Sequence, residues 1–291
     1  MKGLLLRILP KGLSDRLRGT WMVLRYRARV ARKKRTGPSF SEFTAKVPAE
    51  QPSVTVYITN SNNRSPLELT LRTLFEHTEY SNFEVVVADN NSTDGSIEMV
   101  ESIMKDNPVR LLSGVSRPQH EWYDHFFRTN STDYWVGIHE DMVFLSGDWL
   151  AELIGYMEAY PETDLLGGEY FPEVHDVPEP VSGTVVTMRE SLSTWIFCVR
   201  TTLRDHVSTS FEFYRYEDEE SGKLIVFDQG GWLMKNMRDN GRTFAVMPDW
   251  YVQKWEHLSN ITWAFKYDMD PAVRMLKLHQ IRDTDRRLKR L

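Results

Sequence analysis

Phe83-Glu84-Val85-Val86-Val87-Ala88-Asp89-Asn90-Asn91-Ser92-Thr93-Asp94-Gly95-Ser96 is the stretch on which the reading of this chain turns. Its first half is a nearly unbroken β-branched apolar run without polar alternation, which implies a strand covered on both faces. The run stops at Asp89. Asn90 to Gly95 are residues that stabilise turns and cap helices, and Ile97 to Met104 then place apolar side chains at helical spacing. Strand, polar turn and helix in that order form the repeating unit of a parallel sheet.

The same unit recurs on either side. Val54-Thr55-Val56-Tyr57-Ile58 runs into the polar loop Thr59 to Pro66, after which Leu67, Leu71, Leu74 and Phe75 make a helix face. Tyr134-Trp135-Val136-Gly137-Ile138 delivers the chain to His139-Glu140-Asp141, and Asp148 to Tyr160 reads as helix. An α/β fold with a mainly parallel central sheet flanked by helices is expected, its loops converging outside the carboxyl ends of the strands. Past Pro161 the texture becomes β-rich (Leu165-Leu166, Thr184 to Thr187, Trp195 to Val199). An acidic loop at Glu217 to Glu220, a helix at Gly231 to Asn240, a strand at Phe244 to Val246 and an aromatic tail through His257 follow.

With 291 residues, 41% hydrophobic and 26% charged, the chain suits one large α/β domain or two small ones and excludes disordered and collagen-like classes. Charge is uneven: residues 1–36 hold twelve basic residues against Asp15 alone (net +11), residues 271–291 seven against two (net +5), leaving −21 on the 234 residues between. So acidic a body excludes nucleic-acid binding through the core. The single Cys198 fits a reducing compartment, so a cytoplasmic address is expected. Leu4-Leu5-Leu6 is broken at Arg7, too short for a signal peptide, and no run of about 20 apolar residues predicts a membrane span. Residues 13–35 place Leu13, Leu17, Trp21, Leu24, Ala28 and Ala31 at helical spacing among nine Arg and Lys, an amphipathic basic helix. Such a helix either lies on an anionic membrane surface, the inner face of the cell membrane, or packs as a solvated arm on the acidic body. Pro271 opens a second, weaker basic helix.

The runs Val54 to Arg64, Phe83 to Ser96 and Tyr134 to Leu150 resemble the nucleotide-binding half of family 2 glycosyltransferases, inverting enzymes of the GT-A fold. The likeness covers residues 53–160 well and 161–262 more loosely. It implies four segments: a basic arm and linker (1–52, the linker from Gly37 to Gln51), a nucleotide-sugar-binding half (53–160), an acceptor-binding half (161–262) and a basic C-terminal helix (263–291). By the resemblance Thr59, Asn60, Arg64, Asp89 and Glu140 contact the nucleotide, with Asp89 reading a uracil ring. The donor is then a UDP-sugar and the acceptor a hydroxyl of a glycan or lipid-linked molecule.

His139-Glu140-Asp141 stands where the family carries a D-x-D metal motif, so His139 replaces the first acid. A departing nucleoside diphosphate needs a divalent cation, and Mg2+ or Mn2+ favours the carboxylate of Asp141. The imidazole of His139 suits Mn2+ better than Mg2+. His257 resembles the C-terminal histidine that completes metal or phosphate binding in such enzymes. A carboxylate must take the acceptor's proton, and Phe227-Asp228-Gln229-Gly230-Gly231-Trp232-Leu233 matches the family context for Asp228. Asp228 can equally be a helix N-cap, and Asp218 and Glu217 are alternative bases. Trp232, Tyr214 and Trp195 can stack on a sugar or belong to the core. Two other readings stand beside this one. A sugar nucleotidyltransferase needs a glycine-rich phosphate loop that Thr59 to Ser65 lacks, and a non-catalytic scaffold on a degenerate transferase fold accounts for His139.

Overall fold

Strands in which every residue is apolar or small need cover on both sides, and that requirement organises the molecule. A computed structural model describes residues 10–36, 42–171, 175–178, 185–207, 211–248, 251, 253–258 and 270–290. Leu4 to Arg7, Gly37, Pro38, Thr184, Ser259 and Leu291 of the sequence reading, and the side chains of Arg29 to Arg35, lie outside what is described.

The chain runs α1 (Lys11–Thr36), β1 (Val54–Asn60), α2 (Arg64–His77), β2 (Phe83–Asp89), α3 (Ser96–Ile103), β3 (Val109–Leu112), α4 (Gln119–Thr129), β4 (Tyr134–His139), β5 (Met142–Phe144) and α5 (Trp149–Ala159). It continues through β6 (Thr163–Gly167), β7 (Tyr170–Phe171), β8 (His175–Pro178), β9 (Val185–Met188), β10 (Ser191–Leu192), β11 (Ile196–Arg200), β12 (Tyr214–Glu217) and β13 (Leu224–Phe227). Helix α6 (Gln229–Asp239), β14 (Thr243–Val246), β15 (Trp255–His257) and α7 (Pro271–Leu288) complete it.

Seven strands form the central sheet in the order β14-β6-β11-β4-β1-β2-β3. All neighbours are parallel except β11, which runs antiparallel to β4 and β6. Side-chain alternation divides the core. Val54, Val56, Ile58, Val85, Val87, Val136 and Ile138 face α2, α3 and α5, while Tyr57, Val86, Ala88 and Trp135 face α4 and α6. The chain steps from β1 to β2 to β3 on one side of β1, then returns to place β4 on its other side. Neighbouring crossovers therefore diverge at the ends of β1 and β4 and open a crevice there.

A four-stranded sheet, β12-β13-β9-β8, and two two-stranded pairs, β10-β7 and β15-β5, complete the β structure among the described residues. Both basic extensions are helical, and α1 lies along α7 over a third core of Tyr26, Leu69, Val143 and Leu258. Residues 42–51, read from the sequence as linker, are instead tied to the body. Phe43 is buried, a 3-10 turn spans Thr44–Lys46, and the fully buried Glu152 accepts the amides of Phe43 (3.1 Å) and Thr44 (2.6 Å). Composition could not show this, because the carboxylate that satisfies these amides comes from a helix about a hundred residues away.

Candidate functional site

The parallel register puts Thr59 beside His139 and Asn60 beside Asp89, so the polar loops after β1, β2 and β4 emerge together. Asp89 is fully buried. Its Oδ1 accepts the Ser92 amide (2.7 Å), and Oδ2 accepts Asn60 Nδ2 (2.6 Å) and the Ser92 hydroxyl (2.8 Å). Asn62, in the left-handed region (φ 52°), accepts the Thr93 amide at 2.8 Å, and Asp94 accepts the Arg64 amide at 2.8 Å. The two loops are thus stitched into one surface held from below by Asp89. The Arg64 side chain is half exposed and lies against Gly95, whose φ of 84° favours glycine.

Helix α4, not anticipated from the sequence, closes the edge of this surface. Gln119 reaches Thr59 Oγ1 at 3.4 Å, while Asn90 Oδ1 accepts both the Arg117 amide (2.9 Å) and Trp122 Nε1 (2.8 Å). The Arg117 guanidinium lies over the Trp122 ring, and its buried Nε has no hydrogen-bond partner. The signal was present in Trp122, Tyr123, Phe126 and Phe127, an apolar stripe at helical spacing after Pro118.

His139 ends β4, and Asp141 follows as the chain turns into β5. Pairing of β15 with β5 sets His257 opposite Met142, and the Leu258 amide donates to the Asp141 carbonyl at 2.9 Å. One ligand atom from each of His139, Asp141 and His257 lies within 4.8 Å of the others. His257 Nε2 is 3.1 Å from Asp141 Oδ1, yet neither atom completes a hydrogen bond, and nor does His139 Nε2. Asp141 Oδ1 and His257 Nε2, which face each other, and the buried His139 Nε2 are all unsatisfied, a desolvation cost that a shared cation removes. Burial, with the nearby His257, pushes the His139 imidazole down to about 4, so it is neutral near pH 7. Burial pushes the Asp141 carboxyl up, but His257, His139 and Lys277 outweigh that and hold it below its ordinary value. A neutral imidazole and an ionised carboxylate are the ligating forms, so these residues fit a divalent metal. Trp195 stacks on His257, centroids 5.1 Å apart and nearly parallel, and fixes the ring. Glu140 does not join the cluster: its Oε1 accepts Asn63 Nδ2 at 2.7 Å, at the start of α2.

Asp228 is the N-cap of α6, its Oδ1 accepting the Gly231 amide at 2.7 Å, and the Ser191 hydroxyl donates to the same carboxylate at 2.6 Å. Burial raises its pKa despite these bonds. Ser191 is four residues from Trp195, so their Cα atoms are at most about 14 Å apart. Asp218, by contrast, accepts the Ser221 amide (3.0 Å) in the exposed β12–β13 turn, and Glu217 is exposed on β12. Trp232 stacks on Tyr214 at 3.9 Å.

A sequence model of glycosyl transferase family 2 matches residues 55–219, more than half of the chain and all of the strand-loop units above. The chain belongs to glycosyl transferase family 2. It is therefore a glycosyltransferase by family. Among solved structures it is similar to the mannosyltransferase PcManGT from Pyrobaculum calidifontis, in complex with GDP-Man and Mn2+, at 16% identity and a TM-score of 0.49, over 94% of this chain and 84% of that one. It is also similar to S. aureus TarS 1-349, at 15% identity and TM-score 0.40 over 80% and 71% of the two chains. The same TarS fragment in complex with UDP-GlcNAc aligns at 14% identity and TM-score 0.41, over 77% and 70%. No curated protein matches the chain significantly. Within the family-matched region lie Thr59, Asn60, Arg64, Asp89, His139, Glu140 and Asp141; Asp228 and His257 fall outside it.

Proposed function

We propose that this family 2 glycosyltransferase is metal-dependent and inverting, and moves a sugar from a UDP-sugar to a hydroxyl of a glycan or lipid-linked acceptor. The observation that supports it most is the cluster of His139, Asp141 and His257, whose facing atoms are buried and unsatisfied. These three residues would hold Mn2+ in preference to Mg2+, since two imidazoles and one carboxylate are a softer donor set than a pair of acids. When bound, the cation neutralises charge building on the diphosphate as it departs.

The chain's own residues supply the rest. Asp89 shapes the base pocket through Asn60 and Ser92 rather than by an open carboxylate, with Asn62, Thr93 and Gln119 on its rim. Arg64 and Arg117 offer positive charge at the loop edge. Asp228, half-buried and with its pKa raised by burial, would accept the acceptor's proton, since a raised pKa makes the ionised carboxylate a stronger base.

The test is thermal stabilisation by UDP-sugars and GDP-sugars with Mn2+, Mg2+ or chelator. A ligand at 100 times its dissociation constant adds about 2.7 kcal/mol. A shift seen only with Mn2+ and a UDP-sugar, and lost together with sugar transfer in Asp141→Ala, supports the reading. An Asp141→Ala protein that binds and turns over like its parent would falsify the metal reading, and a shift with GDP-sugars alone would overturn the donor.

A further inference from the structure

Helix α1 has two faces of opposite character. Gly19 and Tyr26 are buried against α7: a Cβ at Gly19 would sit 2.7 Å from Met275 Sδ, Arg18 pairs with Asp270 at 2.9 Å, and the Tyr26 hydroxyl donates to Asp283. Leu13, Leu17, Trp21 and Leu24 are 48, 47, 52 and 56% exposed. At 100° per residue these four fall within roughly 80° of arc, and Gly19 and Tyr26 lie on the opposite side. Among the described residues nothing packs over the outer half of this stripe, and four large apolar side chains in a row on a surface mark an interaction site.

Its borders say what covers it. Arg16 and Arg27 flank the stripe on one side, Arg18 and Arg25 on the other, and the one acid of the helix, Asp15, is turned towards Arg18. Residues 1–36 carry +11, against −21 on residues 37–270. A second copy set on this face would bring two such segments together against their mutual repulsion, whereas an anionic surface is attracted here and repelled elsewhere on the molecule. No helix among the described residues is long and apolar enough to cross a membrane. We infer that α1 lies in the interface of an anionic bilayer, with Leu13, Leu17, Trp21 and Leu24 in the acyl boundary and the arginines at the headgroups.

The docked helix is wired to the metal cluster. Arg287 of α7 donates to the Tyr26 hydroxyl (3.3 Å) and to Glu256 (3.0 Å), the neighbour of His257, while Gln280 of α7 donates to the Leu258 carbonyl at 2.7 Å. The bilayer plane thus fixes the orientation of the site, which selects acceptors resident at the membrane. Docking itself does not depend on the donor or metal assignment.

Flotation of the full chain with phosphatidylcholine vesicles, with and without phosphatidylglycerol, tests this. Binding is expected only with phosphatidylglycerol. Leu17→Gln/Trp21→Gln/Leu24→Gln lowers it by about 100-fold at an unchanged melting temperature, since three apolar side chains leave the acyl boundary. Arg16→Gln and Arg27→Gln each lower it by about fivefold, and less at high salt. No binding by the parent chain, or equal binding by the triple variant, overturns the inference. So does a dimer of the parent chain that the triple variant dissolves while vesicle binding persists, because the stripe is then an interface between copies.

Discussion

His139 is the residue at which this chain departs from the acid-rich metal motif it resembles, and the structure gives that departure a partner in His257. The sharpest test is to restore the acid. In His139→Asp, calorimetric titration should show the Mn2+ over Mg2+ preference shrinking by about tenfold, because a carboxylate replaces a nitrogen ligand; an unchanged ratio would mean that position 139 does not ligate. Asp228 raises a different question, since the carboxylate that caps α6 is also the base we propose. Asn can accept the Gly231 amide as Asp does, so Asp228→Asn should cost under about 1 kcal/mol in chemical denaturation while lowering kcat by about 100-fold or more at unchanged nucleotide affinity. The raised pKa gives the pH dependence a sign. Its contribution to stability is complete below the ordinary carboxylate value near 4 and fades as pH climbs through the raised one. Activity moves the other way, rising over the same interval as the base ionises, and Asp228→Asn should abolish that limb. Asp89 and Asp141 were legible as strand-end acids because burial and turn chemistry are local. That Asp89 is enclosed and bonded, and that Glu140 turns away to Asn63, was not, because both depend on a neighbouring loop.

At the level of elements, the glycine pair opening α6 shows how closely that helix and β10 approach. A Cβ at Gly230 would lie 1.8 Å from the Leu192 carbonyl, and one at Gly231 2.5 Å from that of Glu190. The strand β10 that carries Ser191 rests directly on the helix that carries Asp228. Gly230→Ala must push them apart, so we expect a loss of about 3 kcal/mol in denaturant unfolding and a fall in kcat from the displaced carboxylate; an alanine variant of parental stability would show the contact to be looser. Strands β1, β2 and β4 and helices α2, α3 and α5 were readable from apolar runs and periodicity. Helix α4 carries an equally strong stripe, but the contacts of Arg117, Gln119 and Trp122 to Asn90 and Thr59 join separate loops and follow only from tertiary packing.

Across the whole molecule, the C-terminal helix α7 is tied to β15, the strand that carries His257, through a buried ion pair between Arg287 and Glu256. Glu256 is almost fully enclosed and Arg287 mostly so, and breaking such a pair leaves an uncompensated charge. Arg287→Met should therefore cost about 3 kcal/mol in denaturant unfolding and weaken Mn2+ binding measured by calorimetry, although residue 287 touches no ligand; full metal affinity in that variant would uncouple the termini from the site. The sequence alone determined the strand-loop-helix units, the acids at their ends and the basic amphipathic extensions, because each follows from side-chain periodicity and turn preferences within a dozen residues. Only the tertiary structure decided that β4 returns beside β1, that β15 pairs with β5 to bring His257 to Asp141, and that α1 spends one face on α7 and leaves the other bare. Those pairings join segments up to about 250 residues apart, and short-range pattern carries no information about which distant edge or face a segment will meet.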